Sequence, residues 1–69
     1  MENDWVIVFT TESPFQAELI HGMLKGNDID SVIINKRDSS YGVFGDVSVY
    51  IHKENVEKAR QLISETQGN

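Results

Sequence analysis

The chain has 69 residues, eleven Asp and Glu against six Lys and Arg for a net charge of −5, and no cysteine. That length fits one small domain over 1–69, with an ordered core expected over about 5–64. The acidic balance disfavours nucleic acid as a partner, and the lack of Cys removes disulfides, thiol catalysis and a Cys-based zinc site together. With 39% hydrophobic residues and five Gly, the composition is that of a folding chain. The longest apolar run, Trp5 to Phe9, is far too short to cross a bilayer, and the acidic start Met1-Glu2-Asn3-Asp4 is unlike the basic head of a signal peptide. The expected compartment is the cytoplasm, with no membrane partner.

Trp5 to Thr10 is almost entirely β-branched or aromatic and halts at Thr11-Glu12-Ser13-Pro14, which predicts a buried strand and then a break. Ser13-Pro14-Phe15-Gln16 combines a Ser cap, Pro at the first helical position and Gln three residues on, the pattern of a capping box. The helix it opens should run to about Lys25, where Gly26-Asn27 supplies a left-handed terminating residue. At 100° per residue, Phe15, Ala17, Leu19, Ile20, Met23 and Leu24 spread over about 200°, so this helix should bury one side on a sheet and another on a second helix.

A second strand is expected over Ser31 to Lys36, entered through Asn27-Asp28-Ile29-Asp30, and a third over Val47 to His52, where Val47, Val49 and Ile51 alternate with Ser48, Tyr50 and His52. A final helix from Glu54 to about Thr66 carries Val56, Ala59, Leu62 and Ile63 on one stripe, although its start has no good capping residue. The order strand, helix, strand, strand, helix points to an α+β ferredoxin-like plait (βαββα). Two helices pack on one face of a three-stranded antiparallel or mixed sheet, whose third strand fills the gap between the first two.

A complete plait closes with a fourth strand beside the first, and only Gln67-Gly68-Asn69 follow the last helix here. The first strand is therefore expected to be an open edge. If Val6, Val8, Val32, Ile34, Val47, Val49 and Ile51 face the helices, then Trp5, Ile7, Phe9, Ile33 and Tyr50 fall on the uncovered face, an apolar surface large enough to predict self-association and a homo-oligomer.

No nucleophile, acid and base stand in a catalytic pattern, so the chain reads as non-enzymatic, without a metal or cofactor. His21 and His52 read as surface or lightly hydrogen-bonded side chains. Asp28 and Asp30 read as turn residues, since two carboxylates alone fall short of a cation site. The connection from Arg37 to Asp46 is longer than a hairpin needs and collects Lys36, Arg37, Tyr41, Gly42, Phe44 and Gly45 at or beside it. Gly-accessible amides above two cations suit a carboxylate or phosphate, whereas Tyr41 and Phe44 suit either a protein partner or the open sheet face. Gly42-Val43-Phe44-Gly45 also matches a Gly-x-x-Gly loop of RNA-binding proteins, a short pattern that the acidic charge opposes.

Trp5-Val6-Ile7-Val8, Ala17-Glu18-Leu19-Ile20 through Leu24, Asp28-Ile29-Asp30, Val49-Tyr50-Ile51 and Ala59-Arg60-Gln61-Leu62-Ile63 together resemble a short bacterial family of prokaryotic signal-transducing proteins, a domain of unknown function. The resemblance covers Trp5 to Ile63 and implies a plait related to the nitrogen-regulatory P-II proteins, whose partner-contacting loop would correspond to Arg37 to Asp46. Some relatives carry a metal-binding tail, of which a Cys-based version is excluded here. The expected function is a signalling or protein-interaction module that self-associates through its sheet and contacts a partner through residues 36–46. The alternative is a small-molecule sensor that holds an anionic metabolite at that loop through Lys36 and Arg37.

Overall fold

A computed structural model describes residues 4–35 and 47–66. Strand β1 spans Trp5–Thr11, helix α1 Pro14–Gly26, strand β2 Ser31–Asn35 and strand β3 Val47–His52; a 3-10 turn at Lys53–Asn55 leads into helix α2, Val56–Thr66. The strand order is β1-β3-β2, with β3 antiparallel to both neighbours. β1 and β2 are thus parallel and one place apart, the βαββα arrangement expected from the chain order.

The start of α1 is held by side chains. The Gln16 backbone N–H donates to Ser13 Oγ at 3.1 Å, which is the forward half of a capping box. The return half is rerouted: Gln16 Oε1 accepts from the Thr11 hydroxyl at 2.8 Å, and the Ser13 N–H donates to that same Thr11 oxygen at 3.1 Å. The last residue of β1 and the first turn of α1 therefore share one network. Ser13→Ala should lower stability by about 1 kcal/mol in urea unfolding, the usual worth of an N-cap side chain, with an unchanged m-value.

The other end of α1 differs from expectation. The helix continues through Gly26, and the left-handed residue is Asp28, at φ 66°, a conformation that a short polar side chain tolerates. The N–H groups of Asn27 and Ile29 both donate to the Leu24 carbonyl at 2.9 Å, and that of Asp28 to Lys25 at 3.0 Å. Asn27 Nδ2 closes the Met23 carbonyl at 2.9 Å. With its last carbonyls satisfied, the chain turns so that Ile29 enters the core. The final helix also starts later than expected: Lys53 to Asn55 form the 3-10 turn with no capping side chain, and α-helix begins at Val56.

One core joins both helices to one sheet face: Ala17, Ile20 and Leu24 of α1, Ile29 ahead of β2, Val47, Val49 and Ile51 of β3, and Ala59 and Ile63 of α2. Residues paired across strands share a face, so the register assigns the rest. Val6 and Ser31 flank Ile51, Phe9 and Ile33 flank Val49, and Thr11 and Asn35 flank Val47, all toward the helices.

This corrects the expected faces of both outer strands. β1 carries a bulge between Ile7 and Phe9, which shifts Phe9 onto the helix side, where it packs against the core together with Val8. In β2 the parity is opposite to that expected: Ile33 packs on the core, while Val32 and Ile34 pair with Tyr50 and Ser48 on the other face. Phe9 and Ile33 thus leave the set expected on the uncovered face, and Val32 and Ile34 join it.

Candidate functional site

Three cross-strand rows lie on the face of the sheet away from the helices, and the third is closed at its centre, where Ser48 is buried. Trp5 lies beside His52, Ile7 and Val32 flank Tyr50, and Thr10 and Ile34 flank Ser48. The Trp5 and His52 rings stack with centroids 4.0 Å apart and planes tilted by 36°. In the middle row Ile7 is 50% and Val32 37% exposed, while Tyr50 between them is half-buried. Two β-branched side chains and an aromatic ring in line form an apolar band across all three strands. Of the residues expected here, Trp5, Ile7 and Tyr50 are in place.

The outer edge of β1 is a separate matter. Among the described residues β1 pairs with β3 alone, so its other side has no strand partner. The bulge at Ile7 to Phe9 distorts that edge, and Asp4 and Glu12 flank the strand with like charges. A second β1 laid antiparallel about Val8 would bring Asp4 against Glu12 at both ends. Bulges and charges of this kind discourage edge pairing, so of the two surfaces the exposed face is the one with less built against contact.

Polar chemistry is thin. A shallow cleft of about 130 Å³ lies where β1 enters the sheet and β3 leaves it, lined by Asp4, His52, Lys53 and Glu54. The Asp4 carbonyl accepts from the Lys53 N–H at its margin. Among the described residues no group of three or more His, Asp and Glu could hold a metal ion. His21 is lightly hydrogen-bonded: its Nδ1 lies 2.5 Å from Ser31 Oγ, tying the middle of α1 to the first residue of β2. Lys36, Arg37, Tyr41, Gly42, Phe44 and Gly45, the expected partner or ligand contacts, lie outside the described residues.

A second apolar surface was not expected. Phe15 is 72% and Leu19 54% exposed, one turn apart on α1, although the sequence pattern counts both as core. Ala17, Ile20 and Leu24 are buried and Met23 packs partly against the core, so the apolar arc is wider than the side of the helix that is covered. The wheel itself holds the missed signal. An arc near 200° exceeds the stripe of roughly 100° that one buried helix face uses, and the excess stays outside when only one short helix lies alongside.

Among the described residues no helix is long and apolar enough to cross a membrane. A family model described as "Putative prokaryotic signal transducing protein" matches residues 5–67. No curated protein and no solved structure matches the chain.

Proposed function

The chain belongs to the "Putative prokaryotic signal transducing protein" family, and from that membership we propose a non-enzymatic, cytoplasmic interaction module that assembles through the uncovered face of its sheet. The observation that supports this reading is the middle row of that face, where exposed Ile7 and Val32 flank half-buried Tyr50 with no described helix above them. Burying such a band stabilises a complex by about 25 cal/mol per Å² of apolar surface, before the cost of association is subtracted. The neighbouring Trp5–His52 stack extends the same surface toward one end of the sheet. A signalling module built this way transmits by gaining or losing a protein contact, and in this reading the first occupant of the sheet face is a second copy.

Sedimentation velocity across the micromolar range tests it. The wild-type chain should sediment above monomer mass, and Ile7→Lys, which sets a charge in the middle row, should lower that mass while leaving the circular dichroism unchanged. Trp5 is the only tryptophan, so its emission should shift to the blue on assembly and stay fixed in Ile7→Lys. A wild-type chain that remains monomeric at high micromolar concentration overturns the reading. Partner contact through residues 36–46 belongs to the same proposal. Lys36→Ala with Arg37→Ala, and Tyr41→Ser with Phe44→Ser, should each weaken partner capture without altering the assembly formed by the sheet.

A further inference from the structure

We propose that the outer face of α1 is a second self-association surface, on which α1 of another copy packs antiparallel. The face is apolar and exposed: Phe15 and Leu19 are 72% and 54% accessible, and they lie on the side of the helix opposite Ala17, Ile20 and Leu24. At 100° per residue, Gly22 and Gly26 fall on the same line, so Phe15, Leu19, Gly22 and Gly26 occupy an arc of about 60°. The space above both glycines is open, because a Cβ built on either meets nothing within 4 Å. The stripe thus has two large side chains at its N-terminal half and two bare stretches of backbone at its C-terminal half.

Direction follows from size and charge. In an antiparallel pair centred between Ile20 and His21, Phe15 of one copy lies over Gly26 of the other and Leu19 over Gly22. Each large side chain meets a gap, and the backbones can approach more closely than the usual 8–10 Å between helix axes. The charges agree with this arrangement. Glu18 and Lys25, both exposed, lie on one flank of the stripe, and antiparallel packing about a twofold axis brings like flanks together. Glu18 then stands within about two residues, or roughly 3 Å along the axis, of Lys25 of the second copy, and the symmetry makes this contact twice. A parallel pair would instead set Phe15 on Phe15 and Leu19 on Leu19, with no large-to-small match, and would place Glu18 and Lys25 of the two copies on opposite sides of the seam, where they cannot pair. Glu12 and Asp28 lie beyond the helix ends, outside the stripe that packs.

This surface is independent of the sheet, so the two can be removed separately. Sedimentation velocity on four proteins separates them: wild type, Ile7→Lys, Leu19→Asp, and the double variant. With both surfaces active, Ile7→Lys should leave a dimer held by α1, and only Ile7→Lys/Leu19→Asp should be monomeric. If Ile7→Lys alone is already monomeric, the α1 pairing is overturned while the sheet reading survives. If Ile7→Lys leaves the mass unchanged and Leu19→Asp alone gives monomer, the sheet reading falls and the α1 pairing stands.

Charge reversal then tests the direction of packing in the Ile7→Lys background. Glu18→Lys or Lys25→Glu alone should weaken the dimer about 10-fold, since each opposes like charges at two contacts, and the double reversal should restore it to within about 3-fold. Both positions are exposed, so all three variants should fold. Failure of the double reversal to restore association overturns the antiparallel arrangement.

Discussion

Ile33→Asp should unfold the domain at room temperature, whereas Val32→Asp, one residue earlier in β2, should leave it folded with a change within about 1 kcal/mol. Ile33 pairs with Val49 and is partly buried against the core, so a carboxylate there loses apolar contacts and is partly desolvated against an apolar surface, a loss of about 3 kcal/mol. A 69-residue chain has about 3–10 kcal/mol in all. Val32 pairs with Tyr50 on the uncovered face and is already 37% exposed, so its charge remains hydrated. Far-ultraviolet circular dichroism with thermal melting decides the matter. The opposite order of effects would mean that β2 is rotated about its axis, and with it that Val32 does not belong to the apolar band on the uncovered face.

Leu24→Ala is the second large effect, expected at about 2–5 kcal/mol from lost transfer energy and the cavity left behind. Leu24 is fully buried, and its backbone carbonyl also accepts the N–H groups of Asn27 and Ile29 that turn the chain toward β2. At this chain length each kcal/mol is worth about 4–8 °C in Tm, so the variant should melt at least about 8 °C lower. Leu19→Ala is the internal control: the same chemical change on the exposed side of the same helix should shift stability by no more than about 0.5 kcal/mol at low protein concentration. Equal destabilisation by the two would contradict the orientation of α1.

The two sheet corrections show where residue pattern stops being informative. In Ser31-Val32-Ile33-Ile34-Asn35 the apolar residues occupy both parities, so alternation alone places the pair Val32 and Ile34 inward. A better signal lies just upstream. Ile29 sits between Asp28 and Asp30 and is buried, and counting by twos from Ile29 reaches Ser31 and then Ile33 on the inward side. His21, reaching from α1 to Ser31, marks the same side of the strand. The bulge in β1 has no comparable mark: Ile7-Val8-Phe9 contains no glycine or polar residue to announce it, so the inward turn of Phe9 follows only from matching β1 to β3.

The candidate surface divides the same way. Trp5, Ile7 and Tyr50 were legible because the alternation of β3 is clean and the first part of β1 precedes the bulge. Val32 and Ile34 were not, because their face depends on β2's register. The exposed Phe15 and Leu19 were hidden by the opposite difficulty: a helical wheel counts apolar residues without knowing how much neighbouring structure exists to cover them.

From residues alone come the elements, their order and the placement of β3 between β1 and β2. These follow from local capping and turn chemistry, from hydrophobic period, and from the right-handed crossover that joins parallel strands. Tertiary structure decided which way Phe9, Val32, Ile33 and Ile34 point, where α1 gives way to the left-handed Asp28, and which apolar side chains remain in water. Register and coverage are properties of two elements at once, and the free energy that selects them arises only when the surfaces meet.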